Sequence, residues 1–180
     1  MSFTELPINR ANRLINHGPT ILVTSRFKDK ANIMTAAWCM PVSHKPPMLA
    51  VAIGPSRHTH DMIVQSGEFA VNVPGNDILK EVWCCGTNSG KTEDKFALCG
   101  LTPVKGNHIG APLIKECLGA IECRLDSHPT AGDHTIIVGE AVAVWVKPDV
   151  FMDRFKVEDW KTVHHLGGRE FCLPGEVISI

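Results

Sequence analysis

The sequence contains no apolar run that approaches the roughly 18 residues a membrane-spanning helix requires. Its first ten residues, MSFTELPINR, also lack the hydrophobic core of a secretory signal. Both absences predict a protein without a membrane segment. We therefore expect it in the cytoplasm.

An excess of charge of one sign is absent as well. The chain has 18 Lys and Arg residues against 19 Asp and Glu residues, a formal net charge of −1. No basic stripe or cluster is present, so we expect no nucleic-acid partner. The hydrophobic content of 44% over 180 residues is enough for one domain with a buried core, and we expect residues 1–180 to form that single domain.

Cysteine and histidine lack the spacings that define disulfide frameworks and metal sites. The seven cysteines are odd in number and include no C-x-x-C, so neither a disulfide framework nor a zinc knuckle is indicated. A bond between adjacent Cys84 and Cys85 would close a strained ring, and we interpret both as buried thiols that pack as small hydrophobic groups. Closely spaced histidines such as His58 and His60 lack the i, i+4 helical spacing that directs two imidazoles at one ion. We expect no metal site.

The common nucleotide-binding motifs are missing or incomplete. No G-x-G-x-x-G follows a predicted strand, which argues against a dedicated dinucleotide domain. Residues 86–92, GTNSGKT, are similar to a P-loop, but Cys85 stands where that motif needs glycine, and the preceding segment is predicted as helix. An ATPase is therefore rejected. The Ser-Gly-Lys turn still exposes backbone N–H groups and a cation that suit an anion, with a solvated loop as the alternative.

Strands dominate the predicted secondary structure. Residues 20–26 and 31–38 flank a polar turn and are predicted to form a hairpin. Further strands are predicted from apolar runs at residues 48–53, 68–73, 118–127 and 135–146. About six strands without regular β-α alternation favour a barrel over a doubly wound sheet.

The predicted helices are short. The polar residues 4–17 predict a short helix or an arm that stops at Gly18. The other helices are predicted at residues 59–66 ending at Gly67, from an Asp77 cap through Cys84, and irregularly over residues 91–99.

Two neighbouring segments carry the clearest indication of function. Residues 32–43, NIMTAAWCMPVS, and residues 48–59, MLAVAIGPSRHT, join apolar strands rich in small residues to a short polar turn. Such a combination suits a ligand that is a flat apolar ring at one end and an anion at the other, and flavin mononucleotide (FMN) is such a ligand. For the first segment alone, a buried strand with small residues for close packing is the alternative.

These segments resemble the flavin reductase-like, or flavoredoxin, family. The resemblance continues in SGEFAVNVP at 66–74, GTNSGKTEDKFAL at 86–98, GLTP at 100–103 and HLGGREF at 165–171, in the expected order over most of the chain. It implies a mainly β fold, an FMN-binding split β-barrel with short peripheral helices. It also implies a homodimer that passes electrons through a non-covalently bound flavin.

The resemblance also implies the contacts of the cofactor. Asn32 is the candidate for the reactive edge of the flavin ring, and His134 is a candidate to face the ring or the incoming donor, with a surface turn histidine as the alternative. Phe171 packs at the ring or closes the core. The remaining candidates are Met34, Thr35, Ala36, Ala37 and Trp38 around the ring, Ser56, Arg57, His58 and Thr59 at the ribityl chain and phosphate, and Ser89, Lys91 and Lys95 as further anion-binding residues.

Three functions are compatible with this pattern. The first is an NAD(P)H-dependent flavin reductase, and the second is a flavoredoxin-type carrier that passes electrons from bound FMN to a protein or a metal ion. The third is a non-redox FMN-binding protein on the same barrel. The electron donor is accordingly expected to be NAD(P)H or a reduced protein, and without a dinucleotide domain a nicotinamide would dock over the flavin itself.

Overall fold

The computed structural model describes residues 4–180. In this part of the chain the helices are α1 (His58–Ser66), α2 (Leu79–Thr87) and α3 (Lys95–Cys99), with 3₁₀ turns at Ile8–Leu14 and Asn76–Ile78. The longer strands are β1 (Ile21–Phe27), β2 (Lys30–Ala36), β3 (Cys39–His44), β4 (Pro47–Ile53), β5 (Glu68–Val73), β8 (Gly119–Ser127) and β10 (His134–Val146). The short strands are β6 (Pro103–Val104), β7 (Leu113–Ile114), β9 (Thr130–Ala131), β11 (His164–Gly167) and β12 (Glu170–Cys172).

One antiparallel sheet organises the molecule. Its strands follow the order β2-β1-β5-β8-β10-β4-β3, with β9 paired to β10. The strands β2 and β3 are therefore neighbours in sequence but lie at opposite ends of the sheet. The prediction of a mainly β fold without regular β-α alternation is confirmed, and so is the hairpin formed by β1 and β2.

Apolar side chains are buried on both faces of the sheet. One cluster, which includes Val23, Phe69 and Ile137, packs with Ile63 of α1. The other includes Leu22 and packs against α2 and α3. Because successive residues of a strand point to opposite faces, β1 contributes to both clusters, and its first five residues are all buried.

The short helices end and begin where local chemistry dictates. Gly67 terminates α1 with φ of 73°, a left-handed conformation that glycine adopts without a steric penalty. Asp94 caps α3, since its carboxylate accepts hydrogen bonds from the N–H groups of Phe96 (3.0 Å) and Ala97 (3.3 Å). This cap places the start of α3 four residues later than predicted, and residues 91–94 form a turn instead.

One other prediction of secondary structure was wrong, and one strand was missed. Asp77 does not cap α2, because it lies within the 3₁₀ turn Asn76–Ile78 and no side chain caps that helix. The strand β3 was not predicted. Pro41 interrupts its alternation, and the pairing of β3 with β4 shifts register between Pro41 and Ser43.

A disulfide corrects the interpretation of the cysteines. Cys84 of α2 bonds to Cys99 of α3, so the expectation that Cys84 is a free buried thiol was wrong. Cys84 does not bond to its neighbour Cys85, which is a buried free thiol as expected. Sequence spacing alone could not reveal this pair, because 15 residues separate its members and their approach depends on how α2 and α3 pack.

Residues 4–180 contain no helix that is both long and apolar enough to cross a membrane. Over the same residues, no cluster of three or more His, Cys, Asp or Glu side chains is arranged to hold a metal ion.

Candidate functional site

A cavity of about 460 Å³ lies where three parts of the fold meet. They are the strand β2, the N-terminus of α1, and the segment 85–95 between α2 and α3. Residues of the N-terminal arm, Asn12, Arg13 and Asn16, and the start of β10 complete its wall.

The structure brings together the site residues predicted from the sequence, with one exception. The cavity is lined by Asn32, Met34, Thr35, Ala36, Ala37, Trp38, Ser56, Arg57, His58, Thr59, Ser89, Lys91, Lys95 and His134. Residues from four separate stretches of the chain therefore share one cavity.

Phe171 is the exception. Its ring packs against Trp83 and His165, with ring centroids 6.3 Å and 5.0 Å away, and lines an adjoining cavity of about 240 Å³. Phe171 does not line the 460 Å³ cavity, and its packing against a flavin ring stays a prediction. Thr35 and Ala36 of β2 line both cavities.

The N-terminus of α1 faces the cavity with free backbone donors. The turn before it is closed by the Arg57 N–H, which donates to the Gly54 carbonyl at 3.0 Å. No side chain caps the helix, so its first N–H groups have no side-chain acceptor. Unpaired N–H groups and the helix dipole together make such an end a site for an anion.

The charged side chains that line the cavity are all of one sign. Arg13, Arg57, Lys91 and Lys95 line the cavity, and no Asp or Glu of the described residues does. A cavity with several cations and no carboxylate attracts a ligand with multiple negative charges.

Lys95 is the cation of the cavity whose surroundings suit an anion most clearly. Its side chain is buried, and its ammonium donates to the Cys85 carbonyl at 2.5 Å. It forms no ion pair with any carboxylate of residues 4–180. Burial lowers the pKa of Lys95, and the positive charge of Arg57 lowers it further. An anion in the cavity would oppose both effects and raise the pKa of Lys95 again.

His58 responds to the same surroundings. Burial lowers its pKa, and the nearby Lys91 lowers it further. The imidazole is therefore neutral around pH 7 and can accept or donate a hydrogen bond at the first position of α1.

Asn32 joins β2 to this anion-binding end. Its Nδ2 donates to the Thr59 hydroxyl at 2.8 Å, while its buried Oδ1 has no hydrogen-bond partner. A side chain at residue 90 would collide with that oxygen, so Gly90 is required for the close approach of the loop to Asn32. An unpaired buried acceptor is unfavourable, and a donor from a ligand would satisfy it. The contacts of Asn32 lie at the cationic end, and its proximity to the reactive edge of a ring stays a prediction.

The other end of the cavity is apolar and aromatic. Trp38 lies against His134, with ring centroids 4.9 Å apart, and Ala36, Ala37 and Ala52 line the wall beside them. His134 is the first residue of β10, and its Nδ1 lies 2.8 Å from the Asp133 carboxylate. These residues provide room for a flat ring next to a titratable imidazole.

The backbone of β2 adds hydrogen-bonding groups to this wall. Because β2 ends the sheet and pairs only with β1, the N–H and C=O groups of its outer edge have no strand partner. Small side chains at Ala36 and Ala37 leave that edge accessible. A heterocycle with alternating donors and acceptors can pair with such an edge.

Some cavity residues were not predicted from the sequence. Asn12, Arg13 and Asn16 belong to the arm, and only its repeated Asn and Arg residues, in INRANR, give a signal. Gly90 belongs to the Ser-Gly-Lys turn whose anion-binding chemistry was predicted, and Asn88 directly precedes that turn. His165 begins the segment HLGGREF, which carries part of the resemblance, but it was not among the predicted site residues.

A second, apolar cavity of about 490 Å³ adjoins the first. Trp38, Ala37 and Ala52 belong to both, and Ile15, Met40 and Ile136 line the second alone. The outer face of Trp38 thus opens onto an apolar surface near the edge strand β3.

The fold agrees with comparisons to known proteins. A sequence profile of the flavin reductase like domain matches residues 13–159. The chain belongs to the flavin reductase-like family.

Relatives of this flavin reductase-like chain share nearly its full length. It is 37% identical over 184 residues to YddH, an uncharacterized protein of Escherichia coli K12, covering 98% of this chain and 97% of YddH. It is 30% identical to the flavoredoxin of Desulfovibrio vulgaris (Miyazaki F), with a TM-score of 0.87 over 98% of this chain and 97% of that chain. An FMN-binding domain of a flavin reductases-like enzyme from Shewanella baltica OS155 is 27% identical, with a TM-score of 0.84 over 98% and 96% of the two chains. These similarities confirm the split β-barrel of the flavin reductase-like family.

Proposed function

We propose that this chain, as a single domain over residues 1–180, binds FMN non-covalently and acts as an oxidoreductase of the NAD(P)H-dependent flavin reductase type. One observation carries the proposal. A single cavity combines a cationic end without carboxylates and an apolar end beside a free strand edge. FMN has a phosphate dianion at one end and a flat heterocycle at the other.

The phosphate is assigned to the cationic end. Arg57 offers a planar guanidinium fork, the N-terminus of α1 offers backbone N–H groups, and Lys95 offers a buried ammonium without a counter-ion. Ser56, His58, Thr59, Ser89 and Lys91 surround the same end. The unpaired Oδ1 of Asn32 fits a ligand hydroxyl or ring N–H.

The ring is assigned to the outer edge of β2 and the residues beside it. Met34, Thr35, Ala36 and Ala37 contribute small or flexible side chains and backbone groups, and Trp38 excludes water from one side. When bound, FMN supplies the electron-transfer chemistry, while the protein binds, orients and shields it. His134 lies against Trp38 and is proposed to face the ring or the electron donor.

NAD(P)H is the proposed electron donor. Since the sequence carries no dinucleotide-binding fingerprint, the donor would have to reach the ring directly. The apolar cavity that shares Trp38 with the first cavity is the open approach to that end. We further propose that the protein works as a homodimer in the cytoplasm.

A flavoredoxin-type carrier is the second candidate. The 30% identity to a flavoredoxin over nearly the whole chain favours it. In that role the protein would keep its FMN and receive electrons from a reduced protein. It would then deliver them to a protein or a metal ion.

Ligand preference tests the assignment of the cavity. Titrations of the apoprotein with FMN, riboflavin and FAD are followed by flavin fluorescence. FMN should bind more tightly than riboflavin, because only FMN brings the phosphate, and more tightly than FAD, because no adenine pocket is indicated. Equal affinity for FMN and riboflavin would contradict the phosphate assignment.

Anaerobic reduction separates the two candidate functions. The FMN-loaded protein is mixed with NADH or NADPH, and the visible flavin absorbance is recorded, with dithionite as the control for complete reduction. Catalytic bleaching by a nicotinamide supports the reductase. Bleaching by dithionite alone contradicts the reductase and supports the carrier.

A further inference from the structure

The disulfide between Cys84 and Cys99 closes a loop that forms one wall of the cavity. Cys84 lies in α2 and Cys99 in α3, 15 residues apart. Seven residues between them line the cavity, namely Cys85, Gly86, Asn88, Ser89, Gly90, Lys91 and Lys95. The bond therefore joins the two ends of the segment that supplies two of the cations.

The middle of this loop has few other constraints. Residues 86–89 and 91–94 are exposed. The N–H groups of Thr92 and Glu93 donate to the Ser89 carbonyl at 3.2 and 3.1 Å, and the Lys91 N–H donates to the Ser89 hydroxyl at 3.3 Å. These bonds are internal to the loop. The bond from Lys95 to the Cys85 carbonyl also joins two residues of the same loop.

Packing holds mainly the ends of the segment, and in its middle Gly90 approaches Asn32 closely. Val82 and Cys85 of α2 and Phe96 and Cys99 of α3 are buried in the cluster beneath β1 and β2. Breaking the disulfide would leave this packing in place. The loop between would gain conformational freedom, which a bound ligand would then have to remove.

We propose that Cys84–Cys99 is a thiol-exchange site that sets the affinity of the cavity for its flavin. The oxidised form keeps the anion-binding loop ordered, and reduction by a dithiol loosens it and weakens binding. The direction of the effect rests on the proposed function, since it takes FMN as the ligand.

The two sulfur atoms differ in accessibility. Cys99 is buried, with 7% of its surface exposed, while Cys84 is half-buried. A thiolate of the reductant therefore attacks Sγ of Cys84, and the Cys99 sulfur leaves and takes up a proton. The second thiol of the reductant then attacks the mixed disulfide and releases Cys84 as a thiol. Two electrons and two protons pass to the protein, and the reductant becomes a disulfide.

Cys85 does not compete in this exchange. Burial raises the pKa of the Cys85 thiol to about 11, although the charge of Lys95 opposes the shift. The thiol is therefore protonated near neutral pH, and the thiolate is the reactive form. Cys85 therefore takes no part in the exchange between Cys84 and Cys99.

The first experiment compares FMN affinity in the two redox states. Air-oxidised protein and protein reduced with dithiothreitol and desalted anaerobically are titrated with FMN in the dark, and thiol counting by mass spectrometry confirms each state. We expect the dissociation constant to rise about tenfold on reduction, because binding must now order the loop. The Cys84→Ser/Cys99→Ser double variant should match the reduced protein under all conditions. The Cys172→Ser variant, with its cysteine outside the loop and the cavity, should respond like the unaltered protein.

The second experiment does not depend on FMN. Hydrogen exchange of the backbone amides of residues 86–94 is measured on the apoprotein in both redox states. Faster exchange after reduction supports the proposal, and unchanged exchange overturns it even where the double variant fails to fold. Equal FMN affinity of oxidised and reduced protein also overturns it. A protein that binds no FMN in either state refutes the proposed function, and the exchange data then still decide whether the disulfide orders the loop.

Discussion

Buried polar side chains of the cavity show what single residues contribute to the site. Lys95 is a buried cation without a carboxylate partner, and Asn32 has a buried oxygen without a donor. Each is unfavourable in a protein without a ligand, since desolvated polar groups need partners. Both point into the same cavity, so one ligand can satisfy both.

Arg57 provides the first test of the proposed phosphate site. Replacing it with alanine removes a charge-assisted hydrogen bond to the proposed phosphate and should weaken FMN binding by about 1.5–3 kcal/mol. Arg57→Lys keeps the charge but loses the planar fork and should fall between. The measurement is a fluorescence titration, with the exposed Arg124 of β8 replaced by alanine as the control. Wild-type affinity in Arg57→Ala would refute the phosphate assignment.

Asn32 provides the second test. If its amide contacts the ring, Asn32→Ala should shift the flavin midpoint potential by roughly 20 mV, the equivalent of about 1 kcal/mol for a two-electron couple. An anaerobic redox titration measures this shift, with the exposed Asn76→Ala as the control. A variant with weaker binding and an unchanged potential would show that Asn32 acts at the anion-binding end alone, where its contacts to Thr59 and Gly90 lie.

Among the structural elements, the loop at residues 106–109 depends on a single carboxylate of β8. Glu122 is fully buried and accepts hydrogen bonds from the N–H groups of Asn107, His108 and Ile109 and from the Trp145 indole, at 2.6–3.1 Å. Burial raises the pKa of Glu122, but these donors outweigh it and hold the pKa below the ordinary 4.5. The carboxylate thus substitutes for a strand partner of this loop.

These hydrogen bonds to Glu122 make the stability of the folded protein depend on pH. Because the pKa is depressed in the folded protein, the contribution of Glu122 is present above pH 4.5 and is lost as the pH falls through the folded value. Glu122→Gln replaces one of the two accepting oxygens by an NH₂ group that faces other donors, and it should lower the free energy of unfolding at pH 7 by about 3 kcal/mol. Urea denaturation at pH 7 and pH 4 measures both effects, with the exposed Glu140→Gln of β10 as the control. A variant as stable as the wild type at pH 7 would contradict this role of Glu122.

The elements predicted correctly are those whose local pattern and tertiary environment agree. The strand β5 and the helix α1 were found nearly to the residue, since both are bounded by Gly67, whose φ of 73° ends the helix. The strand β3 was missed because Pro41 breaks its alternating pattern, although β3 pairs with the next strand β4 in a hairpin. The strands β6, β7 and β9, of two residues each, carry no periodicity at all.

The site residues that were predicted are likewise those that lie in segments with a clear local pattern. Residues 32–38 and 56–59 have the composition of a ring-and-anion site, and the cavity unites them as the resemblance implied. The arm residues and His165 were not predicted, because they approach only after the chain has folded around β2. The Cys84–Cys99 disulfide was not predicted for the same reason.

The molecule exposes apolar side chains at one end of the sheet, on and beside the edge strand β3. The edge strand β3 exposes Met40 (59%) and Val42 (43%), and Trp38 before it is 41% exposed. Ile15 of the arm, at 80%, lies beside the same apolar cavity. Contiguous apolar surface of this kind at an unpaired edge is typical of an interaction surface.

We predict that this surface is the interface of a homodimer. Light scattering should give about twice the chain mass of 19.7 kDa at micromolar protein. Met40→Glu would place a charge at the centre of the surface and should shift the protein to monomer, because an unpaired carboxylate cannot be buried there without a large penalty. Met152→Glu is the matched control, since Met152 is likewise well exposed (70%) but lies outside this surface. The Met152→Glu variant should stay dimeric. Trp38 connects this surface to the proposed ring site, so the monomeric variant should also bind FMN more weakly. A monomeric wild-type protein with full flavin occupancy would contradict the dimer and leave these apolar side chains to a different partner.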